Sequence, residues 1–539
     1  MGATDYIWLG ILAVFQGPEI ATIAGVTIPV TLVMILSGFL VGILVGSTPG
    51  LAGPMAMAVS LPILISIFGF TPDALLPVMG FLIGIMKGAT IGGAVPAILF
   101  NTPGTPDAYM TTLDGYPMAQ AGQAKKALKV AHFSSASGDT FSDVVLIVCA
   151  PFLAILVEAY LDLPEKTALL ILSLAFISAV IGRSVGKGLI SMGLGLLVAF
   201  VGTGEDFYPR LTGGSEALAS GFPIVAAILG VLILGEVFRG IEDLYHEHRA
   251  AKQPPSRPQM AGQGLGWGDI RGLMPYIARS AVIGTVIGAL PGIGSTLAAT
   301  LGYTMGQGRH ARRRAPGAPR FGEGAPEGIA ATEAANSSVS GANLIPVLSL
   351  GIPGNAAAVF LILAADSIGG FNPGPGVFRF TADEINPELV VAFGLFTCMM
   401  VANLLNWTVG GVFMRAMAVM IRVPKHILLP VVLLLTLTAI YVQETSLTAL
   451  WFTVGFGVLG YAMRRVDMSP LPFVIAFILG GRLEDTARQA FSATGGDPWF
   501  LFSSPTAIIF VLATVAVVAW AMRPKPTDLA PVSQSRDTP

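Results

Sequence analysis

Residues 284–292 read GTVIGALPG and residues 42–50 read GILVGSTPG, so both glycines and the Pro-Gly pair coincide at an offset of 242 positions. A second pair of stretches, PAILFNTPG at 96–104 and PVLSLGIPG at 346–354, coincides at an offset of 250 positions. The loop between the two motifs is therefore eight residues longer in the second copy. An internal repeat of this kind is the first feature that a fold has to explain.

The composition is that of a membrane protein. The chain has 539 residues, of which 53% are hydrophobic and 12% are charged, whereas about 25% of a typical soluble domain is charged. The 30 basic and 32 acidic residues nearly balance, which gives no indication of a nucleic-acid partner. Cys149 and Cys398 lie in apolar runs and make no disulfide framework. We expect an all-α polytopic membrane protein in a lipid bilayer.

Apolar runs of about 17–25 residues predict membrane spans, and here they form two sets. The predicted spans are at roughly 24–46, 75–100, 141–160, 166–182, 187–202 and 222–238, and then at 273–290, 339–364, 388–411, 426–442, 447–463, 470–481 and 504–522. The apolar pieces Leu51–Phe68 and Thr296–Met305 are too short or too broken for spans, and we interpret them as half-helices or re-entrant arms.

Polar segments divide the chain further. The predicted parts are an N-terminal interfacial or short membrane segment (1–22), a first transmembrane repeat (23–238), a polar, Pro-rich cytoplasmic linker (239–271), a second transmembrane repeat (272–522) and a disordered cytoplasmic tail (523–539).

The charges of the loops predict how the two repeats are oriented, because Lys and Arg in short loops mark the cytoplasmic side. The loop between the motifs is basic in copy two (309–320) and uncharged until Asp73 in copy one. The loop after the second motif is basic in copy one and acidic in copy two. Equivalent loops are thus expected on opposite sides, which is typical of secondary transporters. The predicted fold is two inverted-topology repeats with Pro-Gly-broken helices and re-entrant hairpins.

Four Pro-Gly breaks interrupt the apolar runs. Non-helical backbone at membrane depth is tolerated only where it is buried in protein or lines a polar cavity, and a helix that starts there presents free N–H groups and about half a positive charge to an anion. The candidate substrate-binding residues at the breaks are Ser47, Thr48, Pro49, Gly50, Asn101, Thr102, Pro103, Gly104, Thr105, Pro291, Gly292, Ser295, Thr296, Pro353, Gly354 and Asn355. The alternative is that Gly and Pro only allow close helix packing.

Lys87 lies inside an apolar run, FLIGIMKGATIGG. An ammonium at the middle of a membrane helix costs about 2.5–3.5 kcal/mol, so it is a functional candidate by default. It could be a counter-charge for an anionic substrate; alternatively, it snorkels to an interface or pairs with a distant acid such as Glu333. The offset of 250 places it opposite Ser337. We therefore add Lys87, Asn336 and Ser337 to the candidate substrate-binding residues.

The stretches that resemble enzyme motifs are incomplete or lie in an unsuitable place. The S-x-x-K pattern at 184–187 falls in a short turn between predicted spans, and GRSVGK at 182–187 is one residue short of a P-loop. The run HEH at 246–248 is too closely spaced for a helical zinc site. We expect no enzymatic activity, no resident metal and no cofactor.

Five stretches closely resemble the large membrane subunit of the tripartite tricarboxylate transporter family. They are GILVGSTPGLAGPMAMAVSLP, AILFNTPGTPDAYMTTLDGYPMAQAG, GALPGIGSTLAATLGY, EGIAATEAANSSVSGANLIPVLSLGIPGNAAAV and GFNPGPGVF. The resemblance covers about 38–380 and, more loosely, the C-terminal half. Two departures stand out: the family commonly reads A-P-E-x-A-N-N where this chain reads ATEAANS at 331–337, and it commonly has a neutral or aromatic residue near Lys87.

Membership would imply a permease in the bacterial inner membrane that works with a small membrane subunit of about four helices and a periplasmic solute-binding protein. It would imply uptake of small carboxylates, citrate-like or dicarboxylate, driven by an ion gradient, with Na+ the usual coupling ion. Unwound carbonyls at the breaks would then coordinate the cation. A stand-alone permease or channel that needs no binding protein is the alternative. A membrane-embedded enzyme would need a His/Asp/Glu cluster, for which the sequence gives no sign.

Overall fold

The computed structural model describes residues 3–23, 26–48, 51–181, 184–203, 208–247, 264–292, 294–313, 317–380, 384–420 and 425–522. Within these ranges the chain is almost entirely helical, as the composition predicted. The two short antiparallel hairpins pair β1 (Glu19–Ile23) with β2 (Val26–Pro29) and β3 (Gly202–Thr203) with β4 (Pro209–Arg210).

The first half contains ten helices among the described residues. They are α1 (Ala3–Phe15), α2 (Val30–Gly46), α3 (Gly53–Phe68), α4 (Pro72–Phe100), α5 (Tyr109–Met118), α6 (Ala124–Tyr160), α7 (Leu163–Val180), α8 (Val185–Ala199), α9 (Ile224–Leu229) and α10 (Gly235–Glu247). π-Helical segments at Ala119–Gln123 and Gly230–Leu234 join α5 to α6 and α9 to α10.

The second half follows with α11 (Trp267–Gly288), α12 (Gly294–Arg313), α13 (Pro326–Ala342), α14 (Leu344–Leu350), α15 (Ala356–Ile368), α16 (Pro387–Leu405), α17 (Gly411–Met420), α18 (Lys425–Glu444), α19 (Leu447–Arg465), α20 (Leu471–Ala493) and α21 (Pro505–Ala521). A π-helical segment at Asn406–Gly410 joins α16 to α17, and 3-10 turns occur at Pro106–Ala108, Glu216–Leu218, Pro375–Phe378 and Phe500–Phe502.

Six of these helical stretches in the described part of the chain are long and apolar enough to cross a bilayer. They are Pro72–Phe100, Pro106–Tyr160, Leu163–Val180, Ile224–His246, Pro387–Met417 and Leu447–Arg465. Shorter apolar helices accompany them. The expectation of a multi-pass, all-α membrane protein is thus confirmed.

The tightest helix pair is α2 against α4. Glycines recur every fourth residue on both helices, and each faces the backbone of the other. A Cβ at Gly42 would lie 2.5 Å from the carbonyl oxygen of Ile85, and a Cβ at Gly88 would lie 2.2 Å from that of Phe39. Only glycine allows this approach, which is the small-xxx-small packing typical of membrane helices. Most of α4 is buried as a result.

The pair α11 and α13 repeats this contact in the second half. A Cβ at Gly284 would lie 2.2 Å from the carbonyl oxygen of Ala335. Gly284 lies 242 positions after Gly42, and Ala335 lies 250 positions after Ile85. The same residue pair therefore meets in both copies, which supports the internal repeat. The glycines before the breaks serve close packing, as the alternative interpretation held, whereas the inversion of the two copies stays a prediction.

Each apolar run that carries a motif is interrupted. The four breaks are residues 47–52 between α2 and α3, 101–105 after α4, 289–293 between α11 and α12, and 351–355 between α14 and α15; we refer to them as the first to fourth breaks. The two predicted half-helices correspond to α3 and α12, both of which begin directly after a break.

Several boundaries differ from the sequence-based expectation. The spans predicted at 141–160 and 470–481 are parts of the longer helices α6 and α20. The span predicted at 339–364 is divided into three helices: α13 and α14 meet at Asn343, and α14 ends where Gly351 is left-handed (φ +72°) and Pro353 follows it. The first span begins at Val30 rather than near 24, since β2 occupies 26–29. The described ends of the 239–271 linker are helical and belong to α10 and α11, while 248–263 and the predicted tail at 523–539 lie outside the described residues.

The N-terminal segment is a 13-residue helix, α1, that packs against α16. At about 1.5 Å per residue it is shorter than the hydrocarbon core of about 30 Å. Tyr6 and Val14 are buried, whereas Trp8 is 60% exposed. This arrangement is compatible with the interfacial or short membrane segment that the sequence predicted.

The glycine contact between α2 and α4 gives a first prediction. Gly88→Ala forces a methyl group into backbone that cannot move away, and overpacking of this kind costs about 1–3 kcal/mol. We expect a lower midpoint temperature of unfolding in detergent and a smaller monodisperse fraction. Gly193→Ala on α8 is the matched control, because nothing lies within 4 Å of its added Cβ. Equal stability of the two variants would contradict the packing described here.

Candidate functional site

The first and second breaks lie against each other at the ends of α2 and α4. The N–H of Gly104 donates to the carbonyl of Gly93 at 3.2 Å. A Cβ at Gly104 would lie 2.1 Å from the carbonyl oxygen of Gly46, so this position accepts only glycine. The hydroxyl of Ser47 donates to the carbonyl of Gly92 at 3.3 Å. Some backbone polar groups that lose their helical partners at the two breaks thus form hydrogen bonds from one break to the other. Burial in a membrane protein requires such internal hydrogen bonds.

The other predicted residues at these two breaks differ in exposure. Asn101 and Thr102 are exposed, Thr48 and Pro103 are half-buried, and Thr105 is buried. The hydroxyls of Thr48 and Thr102 bond to carbonyls of their own helices, whereas Oγ1 of Thr105 has no hydrogen-bond partner among the described residues. Pro49 and Gly50 lie outside the described residues.

The third and fourth breaks are joined by a direct backbone hydrogen bond. The N–H of Gly292 donates to the carbonyl of Gly354 at 2.9 Å. Gly292 has a left-handed backbone (φ +84°) that glycine adopts without strain. On the far side of the fourth break, Oδ1 of Asn355 accepts the N–H of Ala358 at 2.9 Å and so caps α15. The predicted residues Pro291 and Pro353 flank this bond.

A side-chain contact joins the second and third breaks across the two halves. The hydroxyl of Thr296, in the first turn of α12, donates to Asp107 at 2.6 Å. Asp107 lies in the 3-10 turn that follows the second break, and Ser295 is the neighbour of Thr296. Each break therefore contacts the next one in the series. Among the described residues, contacts at Ser47, Gly104, Gly292, Thr296 and Gly354 thus connect the four segments on which the sequence had placed the candidate residues.

Helix α13 supplies polar side chains next to this series. Glu333 is fully buried, and its carboxylate accepts hydrogen bonds from the hydroxyls of Thr111 on α5 and Ser135 on α6. One turn later, Asn336 and Ser337 are buried too. Neither the amide of Asn336 nor the hydroxyl of Ser337 has a hydrogen-bond partner among the described residues. Such unpaired buried groups are costly and call for a ligand, water or a second conformation.

Lys87 lies in a buried charge cluster, which we define as Lys87, Asp139 and Asp143. Its Nζ lies 3.1 Å from Oδ1 of Asp139 and 2.8 Å from Oδ2 of Asp143, and all three side chains are fully buried. The amide of Asn403 donates to Oδ2 of Asp143 at 2.7 Å, and Ser340 donates to Oδ1 of Asp139. Lys87 therefore does not snorkel. It pairs with distant acids, as one alternative held, although these are Asp139 and Asp143 and not Glu333. Its predicted role as a counter-charge for a substrate stays a prediction.

Sequence reasoning missed Asp139 and Asp143, although a signal was present. They stand four residues apart, which puts both on one face of α6. The predicted span began at residue 141, which left Asp139 outside it. Asp143 lies inside that span but was not singled out as an ionisable residue within the membrane. Asp107 and Thr111 were missed as well, because their partners Thr296 and Glu333 are about two hundred residues away in the sequence.

A cavity of about 350 Å³ adjoins the fourth break. It is lined by Leu350 and Ile352 at the break and by the NPGPGV stretch at 372–377. Two cationic side chains, Lys166 and Arg482, also line it. Arg482 donates to the carbonyl of Pro373 at 3.0 Å. The cavity thus combines basic groups, backbone polar groups and an apolar wall, the usual composition of a small-molecule site.

Interrupted helices whose breaks contact one another define the class: a polytopic membrane protein with broken helices of the kind that secondary transporters use. The model of the tripartite tricarboxylate transporter TctA family matches residues 32–475, most of the 539-residue chain. The chain belongs to this family, as the sequence motifs had indicated. It is the large membrane subunit of a tripartite system, which in general includes a small membrane subunit and a solute-binding protein.

Two relatives come from Agrobacterium vitis. One, described as an uncharacterized 52.8 kDa protein in the TAR-I ttuC' 3' region, is 30% identical over 503 residues, which cover 92% of this chain and 94% of the relative. The other, described as an uncharacterized protein in the TAR-II ttuC' 3' region, is 28% identical over 245 residues, which cover 45% of this chain and 94% of the relative. No solved structure matches the chain.

The contact between the second and third breaks can be tested without a substrate. In a chain with Cys149 and Cys398 replaced by Ala, we expect Asp107→Cys and Thr296→Cys to form a disulfide on mild oxidation, because the two native side chains touch. The measurement is peptide mapping by mass spectrometry. The control pair, Asp107→Cys with Thr300→Cys, places the second thiol one turn further along α12. Crosslinking of the control pair alone would refute the contact.

Proposed function

We propose that this chain imports small organic carboxylates, tricarboxylates or dicarboxylates, across the bacterial inner membrane by ion-coupled alternating access. A periplasmic solute-binding protein delivers the substrate, and a small membrane subunit completes the complex. The observation that carries the proposal is the connected series of four breaks. Paired broken helices at a repeat interface are where secondary transporters bind substrate and coupling ion.

Carboxylate binding is assigned to the helices that start after the breaks. The N-termini of α12 and α15 are linked through the Gly292–Gly354 bond, so their positive dipole ends lie close together. Two such ends favour an anion more than one does. Ser295 on α12 and Thr105 at the second break add hydroxyls that donate to carboxylate oxygens. Thr296 adds a third hydroxyl when its bond to Asp107 is released. Asn336 and Ser337, which have unsatisfied polar atoms, complete this set.

The coupling cation, for which we propose Na+, is assigned to the opposite ends of the broken helices. Helices that stop at a break leave carbonyl oxygens without intrahelical partners, and such carbonyls coordinate Na+ in transporters of this architecture. The carboxylate of Asp107 lies beside the second and third breaks. A carboxylate there would repel a substrate anion unless a cation were bound, which makes substrate binding depend on the ion.

The cavity at the fourth break is the proposed entry for the carboxylate. Its lining includes Glu388, which adjoins the acidic loop after the second motif of copy two. The charge pattern predicts this loop on the side opposite the basic, cytoplasmic loops. A binding protein would release its ligand on this side. Arg482, with an aliphatic stem and a guanidinium aimed at the break, is suited to bind a carboxylate through two parallel hydrogen bonds.

The test of the proposed function is uptake into proteoliposomes. Radiolabelled citrate, succinate and malate are offered to the chain alone and to the chain with its small subunit and binding protein, with and without an inward Na+ gradient. With the same pH on both sides, we expect uptake only with all three components and the Na+ gradient. Full-rate uptake by the chain alone would favour the stand-alone permease, and absence of uptake of all three carboxylates would contradict the substrate class.

Arg482 provides a prediction within the same assay. Arg482→Gln removes a cation from the entry cavity, and we expect the KM for the transported carboxylate to rise about tenfold, which corresponds to about 1.4 kcal/mol. Arg482→Lys keeps the positive charge, so its KM should rise less. Arg488→Gln, on the same helix but outside the lining of the cavity, is the control. A KM that is the same for all three variants would remove Arg482 from the entry path.

A further inference from the structure

The buried charge cluster carries one more negative than positive charge. Lys87 contributes one ammonium, whereas Asp139 and Asp143 contribute two carboxylates, and all three side chains are fully buried. Lys87 lies near the middle of the 29-residue helix α4. A net charge at that depth is expensive, because an unpaired buried ion costs several kcal/mol even after relaxation.

The hydrogen bonds of the cluster also indicate that a positively charged group is missing. Oδ2 of Asp139 and Oδ1 of Asp143 have no hydrogen-bond partner among the described residues. Asn403 on α16 points its amide at Asp143 and is almost fully buried, yet its own Oδ1 is unpaired as well. Three unpaired acceptor oxygens around one excess negative charge indicate that a cationic donor is missing.

The space around the cluster favours the smallest cation. A Cβ at Gly341 on α13 would lie 2.1 Å from Oδ1 of Asp143, so this carboxylate packs directly against the neighbouring helix. A metal ion needs several oxygen ligands arranged around it, and therefore more space than a proton does. A proton needs only one carboxylate oxygen.

Other ionisable groups on the neighbouring elements are engaged elsewhere. Glu333 on α13 is bonded to Thr111 and Ser135. Asp114 on α5 accepts three backbone N–H groups, and Arg415 on α17 donates to the carbonyl of Gly411. His132, two turns before Asp139 on α6, is bonded to the carbonyl of Asn406. Among the described residues, α2, α11, α14 and α16 bring no ionisable side chain into hydrogen-bond contact with the cluster.

Two features connect the cluster with movement. The helix that carries Asn403 turns π-helical directly afterwards, at Asn406–Gly410, and π-bulges are common at functional sites. Ser340, the hydroxyl partner of Asp139, is on α13, the helix that also carries Glu333, Asn336 and Ser337. A shift of α13 during transport would therefore change the bonding of the cluster.

We propose that the charge cluster binds one proton per transport cycle and couples carboxylate uptake to the proton gradient. The proton adds from periplasmic water to an oxygen of Asp139 or Asp143 while the cluster is open to that side. It stays bound while the cluster is closed, and it leaves to water when the cluster opens to the cytoplasm. No other bond forms or breaks. This inference rests on the proposed transport function and adds a second coupling ion to the Na+ at the breaks.

The charge count predicts the behaviour of variants. Asp139→Asn or Asp143→Asn leaves one ammonium with one carboxylate, so that no proton is needed. Lys87→Met combined with Asp143→Asn leaves one carboxylate alone, so that the proton is needed again. Glu158→Gln is the matched control, since it changes a carboxylate on the same helix that is partly exposed and paired with Lys166.

The first test is an infrared titration of the purified full-length chain, which needs no substrate. We expect a C=O stretching band of a protonated buried carboxyl group in the unmodified chain and in Glu158→Gln. It should be lost in each single Asp variant and restored in the double variant. Size-exclusion profiles confirm that each variant is folded. A band of equal amplitude in all five proteins would overturn the proton site.

The second test is transport in proteoliposomes that contain the complete three-component system and a pH-sensitive dye. With a pH gradient and no Na+ gradient, we expect uptake of radiolabelled citrate, succinate or malate with acidification of the lumen. In Asp143→Asn, the rate of this uptake should fall at least tenfold. Counterflow exchange, which needs no gradient, should be retained. Gradient-driven uptake that persists in Asp143→Asn would overturn the coupling.

Counterflow separates the two proposals. If the unmodified complex shows no counterflow of any of the three carboxylates, the proposed function fails and the coupling fails with it, while the infrared band still decides whether the cluster binds a proton.

Discussion

Direct contact between helix backbones is the constraint on which the rest of this structure depends. Glycines at every fourth residue bring α2 against α4, and Gly284 brings α11 against α13, so closely that an added methyl group would collide with a carbonyl oxygen. Little space remains between these helices for water or lipid. Every polar group that they carry must then be satisfied within the protein, which explains why Lys87 and Glu333 both have specific partners on α5 or α6.

Helix α13 connects the series of breaks with the charge cluster. Glu333 and Ser340 lie two turns apart and therefore on one face of this helix, and both bond to α6, through Ser135 and Asp139. The substrate site that we propose and the proton site that we infer are thus two parts of one helix interface. In such a packed interface, a change of charge at one end alters the preferred position of the helix as a whole.

The sequence predicted the helical class, the repeat and the four breaks, because these depend on composition and on local Gly and Pro chemistry. It also singled out Lys87 as a functional candidate, because an ammonium inside an apolar run is costly. It did not predict the partners of Lys87, since a contact between α4 and α6 follows from helix packing and leaves no local pattern. The hydrogen bond between Asp107 and Thr296 was not predicted for the same reason. The divided span at 339–364 shows that an apolar run predicts burial more reliably than it predicts an unbroken helix.

The central claim is that two repeats of opposite orientation bring their breaks to one site. Equivalent loops, 69–71 between α3 and α4 and 317–325 between α12 and α13, must then lie on opposite sides of the membrane. The most direct measurement is labelling with a membrane-impermeant maleimide of Phe70→Cys and Arg320→Cys, both exposed positions, in right-side-out and inverted vesicles. The account predicts that position 70 reacts from the periplasmic side and position 320 from the cytoplasmic side. Labelling of both from the same side would contradict it.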